Sequence, residues 1–142
     1  MVAPLVIKEI DKSYSDDLTQ FLDQAGNSIS TFRYFEKRSF DVLDNHNITL
    51  LAYMDGKPVG YGHLDTEGNK TWLGIAIIDS MTGKGLGKKI MTYLTNHADS
   101  QQLKEIHLSV DTINEGAIHL YQKFGFSIIT EKNHILFMKR TL

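Results

Sequence analysis

Three glycines at alternate positions, Gly83, Gly85 and Gly87, stand among Lys84, Lys88 and Lys89, directly after the largely apolar run 72–78. Glycine lets backbone N–H groups crowd around an anion without interference from a Cβ. A helix starting at this turn adds the positive end of its dipole. The chemistry predicted is the holding of a phosphate or pyrophosphate. Two common phosphate loops are excluded by spacing. A P-loop would need Gly where Thr82 stands and Ser or Thr where Lys89 stands. A dinucleotide fingerprint needs G-x-G-x-x-G near a chain start, whereas this G-x-G-x-G lies mid-chain.

A second constellation lies downstream. Asn114 and Tyr121 are seven residues apart, about two helical turns, so a helix presents both on one face. An amide and a phenol can then address one ligand. Asn114 also suits a helix N-cap, and Gly125 a C-cap. Further candidates for proton transfer are His63 and Asp65, which by period-two alternation share a strand face with Tyr61. His63 has an intrinsic pKa suited to a base. Asp111 and Glu67 are nearby carboxylates in the sequence. Phe32, Arg33 and Phe35, followed by Arg38, mix aromatic rings with cations suited to an anionic or sugar-like group. The histidines show no H-x-x-x-H or H-E-x-x-H spacing and there is no cysteine, so no metal is predicted. No G-x-S-x-G appears either.

The elements that must position these residues follow from hydrophobic period and turn signals. Strands are predicted over 5–10, 48–54, 59–64, 72–78, 106–110, 126–130 and 134–138. Asp55-Gly56 marks a hairpin. The apolar 72–78 run reads as a strand buried on both faces. Helices are predicted from Ser13, as cap, to Gly26-Asn27; over 31–42 with a break near Arg38-Ser39; over 85–99; and over 114–124. The order is β-α-α-β-β-β-α-β-α-β-β. It implies one α/β domain over residues 1–142, a mostly antiparallel mixed sheet with one parallel pair at the cofactor site, and helices on both faces. A chain of 142 residues, 42% hydrophobic and 23% charged, suits a single globular core. A net charge of −2 opposes nucleic-acid binding. No stretch is long enough for a membrane helix and the start lacks a secretory pattern, so cytoplasm is the expected compartment.

Thr82-Gly83-Lys84-Gly85-Leu86-Gly87 resembles the acetyl-CoA loop of the GCN5-related N-acetyltransferases, [Q/R]-x-x-G-x-[G/A], with Thr82 where Gln or Arg is usual. The segment 114–126 is similar to that family's N-x-x-A-x-x-L-Y-x-x-x-G-F block at Asn114, Ala117, Leu120, Tyr121, Gly125 and Phe126. The resemblance runs from residue 48 to 142. It implies transfer of acetyl from acetyl-CoA to a primary amine of a small molecule, an amino sugar among them. Peptide or lysine acetylation, or a non-catalytic acyl-CoA sensor, are the alternatives. It implies that backbone at Ile75, Ile77 and Ile78 pairs with the pantetheine arm, that Thr82 through Lys88 hold the pyrophosphate, that Asn114 contacts the arm, and that Tyr121 is the general acid. The resemblance names no base, so His63, Asp65 and a water chain stay open. The first helices, with Phe32, Arg33 and Phe35, would form the amine pocket. Homodimers are frequent in the family, so a homodimer is admitted too.

Overall fold

The computed structural model describes residues 4–25, 34–36 and 38–141. Among these, seven strands run over Leu5–Glu9 (β1), His46–Met54 (β2), Lys57–Glu67 (β3), Lys70–Ile77 (β4), Glu105–Asp111 (β5), Ser127–Lys132 (β6) and Ile135–Thr141 (β7). The α-helices among the described residues are Ser15–Gln24 (α1), Leu86–Ser100 (α2) and Glu115–Lys123 (α3). The strands form one sheet in the order β1-β2-β3-β4-β5-β7-β6. Every neighbouring pair is antiparallel except β4 and β5. That parallel ladder is brief: Thr71 pairs with Ile106 and Trp72 with His107. Beyond it the two strands are not paired, and the sheet opens between them.

The predicted hairpin is present. Asp55 and Gly56 take φ of 53° and 73°, the mirror-image turn that matches the right-handed twist of β2 and β3. Alternation along β3 then sorts the core. Gly60 and Gly62 face α2, where an added Cβ would lie 2.8 and 2.7 Å from Ile90. Their missing side chains let α2 lie close to the sheet, burying Leu86, Ile90, Met91, Leu94 and Ala98 as one stripe. On the other face Tyr61 packs into a second cluster with Leu18 and Phe21 of α1.

Two local expectations are corrected. Ser13 is not the cap of α1: it lies in a 3₁₀ turn, Lys12–Tyr14, capped by Asp11, whose carboxylate accepts from the Ser13 N–H at 2.9 Å and from the Ser13 hydroxyl, while Tyr14 stands at the α1 N-cap without a side-chain bond. A carboxylate two residues upstream is the stronger acceptor. Of the second helical region, the described residues form 3₁₀ turns at Tyr34–Glu36 and Phe40–Asn45, with Arg38-Ser39 between them where a break is expected. Gly26-Asn27 and residues 31–33 lie outside the described residues. Finally, β4 is not buried on both faces: Ile75 and Ile77 are only half-buried, because they line the opening beside β5.

Candidate active site

The glycine loop and the start of α2 form one side of the opening. Gly83 and Gly85 take φ of 76° and 81°, the left-handed region that glycine adopts without strain. Gly85 is the N-cap of α2 and brings no side-chain acceptor, so the first amides of the helix point outward at the positive end of its dipole. Neither glycine has a protein atom within 4 Å of where a Cβ would stand. A cavity of about 430 Å³ lies against this turn, lined by Ile75, Ile77, Thr82, Gly83, Gly85, Gly87, Lys88, Asn114 and Tyr121. These are nine of the residues expected to hold acetyl-CoA. Backbone amides, one lysine and an apolar strand edge fit a pyrophosphate with a long arm attached. The remaining three do not line the cavity. Leu86 is core, Ile78 caps the 3₁₀ turn Asp79–Met81, and Lys84 is exposed. Thr82 turns its hydroxyl onto the Asp79 carbonyl at 2.8 Å, leaving its backbone to the loop. Ala76 lies within the stretch 75–78 expected to pair with the arm, Ala117 and Leu120 enter only as motif matches, and Gly116 is not placed here by the sequence; all four line this cavity. The small residues at 116 and 117, next to a functional helix start, are the available signal.

Helix α3 closes the other side. Asn114 is its N-cap, accepting from the Ala117 N–H at 3.2 Å through Oδ1, which leaves its amide donors outside the cap. Tyr121 is 7% exposed, and burial raises its phenol above the ordinary range. The phenol is therefore held in its protonated form.

A second cavity of about 400 Å³ shares Ile75, Asn114 and Tyr121 with the first. Its further walls include Tyr34, Arg38, His63, Glu67, Trp72, Ser109 and Asp111. His63 lies across Gly74, where a Cβ would come within 2.6 Å of its Cε1 and Nε2. Its Nδ1 is 2.6 Å from the Tyr61 hydroxyl. Burial, then the charges of His46 and Arg38, push the His63 pKa well below its ordinary value, so the ring is neutral. Asp65 is buried behind Tyr34, whose hydroxyl donates to Asp65 Oδ2 at 2.9 Å and meets His46 Nε2 at 2.6 Å. His46 Nδ1 in turn meets the Thr49 hydroxyl at 2.7 Å. Because the Tyr34 proton goes to Asp65, this chain assigns the His46 proton to Nε2 and makes Thr49 a donor. Asp65 thus reaches the cavity only through Tyr34. Phe35 lines neither cavity; it packs edge-on to Phe40 and Tyr61. Phe32 and Arg33 lie outside the described residues. Tyr34 and Arg38 belong to the segment 32–38 expected to form the amine pocket, whereas Trp72, Ser109 and Ile135 line this cavity without any sequence signal that places them there.

Among the described residues no three His, Asp or Glu side chains are grouped to hold a metal ion, and no helix is long and apolar enough to cross a membrane.

The spermine/spermidine N(1)-acetyltransferase of Bacillus subtilis is 38% identical over 84 residues, which cover 52% of this chain and 55% of that protein. N-alpha-acetyltransferase 50 of Danio rerio is 33% identical over 108 residues, covering 71% of this chain and 64% of that protein. The chain therefore spans somewhat over half the length of these relatives. In fold it is similar to the PaiA N-acetyltransferase of Thermoplasma acidophilum, solved in complex with coenzyme A, with a TM-score of 0.80 at 17% identity over 98% of this chain and 99% of that one. The acetyltransferase (GNAT) family model matches residues 7–126, and the chain belongs to that family.

Proposed function

We propose that the protein transfers acetyl from acetyl-CoA to a primary amine of a small molecule by direct attack. The observation that carries this reading is the meeting of two cavities at Tyr121, where β4 and β5 part. One has a backbone-lined anion end; the other is lined by polar and aromatic side chains. Acetyl-CoA brings the acyl group and a thiolate leaving group. The residues of the chain do the rest. The loop at 82–88 and Lys88 bind the pyrophosphate, and the open edge of β4 pairs with the arm as an added strand would. Asn114 orients the arm. Tyr121, buried and protonated, donates to the departing sulfur. His63 is neutral and faces the second cavity across Gly74, which makes it the side chain placed to accept the amine proton. Asp65 acts behind it, by holding Tyr34.

One relative is a spermine/spermidine N(1)-acetyltransferase and the other an N-alpha-acetyltransferase, so a small polyamine and a peptide amine are the two acceptor classes weighed. The polar lining of the second cavity favours the small amine, amino sugars included. The test is release of the CoA thiol from acetyl-CoA with a panel of amino sugars, polyamines, amino acids and short peptides. The chain has no cysteine and adds no thiol background. Turnover with one class is the expected result. Turnover with peptides alone would replace the small-molecule reading. Silence across the panel alongside acetyl-CoA binding would leave an acyl-CoA sensor.

A further inference from the structure

Arg38 is held at the second cavity by three contacts. Its guanidinium lies 4.3 Å above the Tyr34 ring centre. Its Nη1 donates to the Tyr34 carbonyl at 3.0 Å. Its Nη2 stands 3.5 Å from Glu67 Oε1. All three residues line that cavity. The seat and its occupant differ in how firmly they are fixed. The Tyr34 hydroxyl is pinned by Asp65 and His46, and its ring rests on His63 at 4.3 Å. The Arg38 side chain is 40% exposed and can swing into solvent. A fixed aromatic face beside a carboxylate recognises cations in general, not arginine in particular.

We propose that Arg38 is a built-in cation occupying the place where a second positive group of the acceptor binds, and that a diamine displaces it from the seat formed by Tyr34 and Glu67. This rests on reading the cavity as the acceptor site. Exposed ion pairs and exposed cation–π contacts are weak, so Arg38 is a competitor whose presence lowers diamine affinity by about fivefold or less. Arg38 then sets specificity: it disfavours long cationic acceptors modestly and leaves monoamines, which need only the reacting nitrogen placed, almost unaffected.

Trp72 is the single tryptophan and lines the same cavity, so its fluorescence reports amine entry without any turnover. The experiment titrates diaminobutane, butylamine and aminobutyrate into the wild-type protein, R38A and E67Q. Diaminobutane is expected to bind R38A about fivefold tighter than wild type, with butylamine changed by less than about twofold. E67Q should weaken diaminobutane, and adding R38A to E67Q should recover less than R38A gains alone. Weaker or unchanged diaminobutane binding in R38A overturns the proposal. So does loss of aminobutyrate binding there, which would make Arg38 an anchor for an anion. A Trp72 signal that no amine alters in any of the proteins overturns it as well. Failure of acetyl transfer itself shows separately, as a silent thiol assay beside intact amine titrations.

Discussion

The two cavities that meet at Tyr121 are built by opposite means. On the loop side the lining comes from short contiguous runs, at 75–77, 82–88 and 114–121, and is largely backbone, small residues and apolar side chains. On the acceptor side the lining comes from Tyr34 to Ile135, and its shape depends on polar side chains holding one another: Tyr34 on Asp65 and His46, His46 on Thr49, Arg38 on Glu67. Backbone recognition depends on φ and spacing and is indifferent to most side-chain identities. A side-chain network depends on each identity, because deleting one member leaves buried polar partners unsatisfied. The first design suits a ligand bound by its phosphates. The second suits discrimination among amines.

The sharpest way to break this contrast is at the backbone. Gly85→Val adds a β-branched side chain at a φ of 81° but meets no protein atom nearby. The strain of about 1–2 kcal/mol lowers stability of free and bound protein alike, while losing one charge-assisted backbone contact to a phosphate costs about 1.5–3 kcal/mol of binding. Acetyl-CoA affinity measured by calorimetry should fall by up to about 10²-fold while the protein still folds. Unchanged affinity would put the cosubstrate elsewhere and end the comparison. At the junction, Tyr121→Phe keeps the ring and its packing but removes the proton. Steady-state kinetics should show kcat reduced about 10²-fold, with acetyl-CoA affinity retained. An unchanged kcat would remove Tyr121 from the chemistry and make it only a wall shared by both cavities.

The same contrast explains what could be read from the sequence. Gly83, Gly85 and Gly87 announce a backbone site because glycine spacing is local information. Asn114 and Tyr121 share a face because helical spacing is local too. The Asp55-Gly56 hairpin was legible for the same reason. The acceptor side was not. The bonds of Tyr34 reach 12 residues along the chain to His46 and 31 to Asp65, and only the pairing of β2 with β3 brings those residues together. Phe35 was as plausible as Tyr34 until the fold turned it onto Phe40 and Tyr61. Asp65 was legible as a carboxylate on the right strand face, but not as one screened from the cavity by a phenol. The apolar composition of β4 suggested full burial because a residue lining a ligand groove and one lining a core have the same hydropathy.

The contrast also has a pH signature, smaller than either mutational effect. The acceptor side carries His63, buried at 2% exposure, and the half-buried His46; in both, burial is the first cause of a pKa lowered from 6.5. In His63 the positive charges of His46 and Arg38 add to it, while in His46 the Asp65 carboxylate opposes it. The described lining of the loop side offers no group that titrates between pH 5 and 8. The sign follows from linkage. Above pH 6.5 these histidines are neutral in both folded and unfolded chains, so stability does not depend on them. Below 6.5 the unfolded chain takes up protons that the folded chain refuses, and stability falls until the folded pKa is reached. For His63 the limiting slope is about 1.4 kcal/mol per pH unit. His107 on β5, its pKa lowered chiefly by burial, adds its own share. Urea unfolding should therefore give a plateau above about pH 7 and a decline from 6.5 downward, ahead of the carboxylates. His63→Gln should flatten that decline by up to one proton's worth, while Gly85→Val should lower the whole curve without changing its shape. If His63→Gln leaves the slope intact, His63 takes up its proton in the folded protein as readily as in the unfolded chain. The acceptor side would then be wetter than its packing indicates, and the two cavities would differ in composition but not in dielectric.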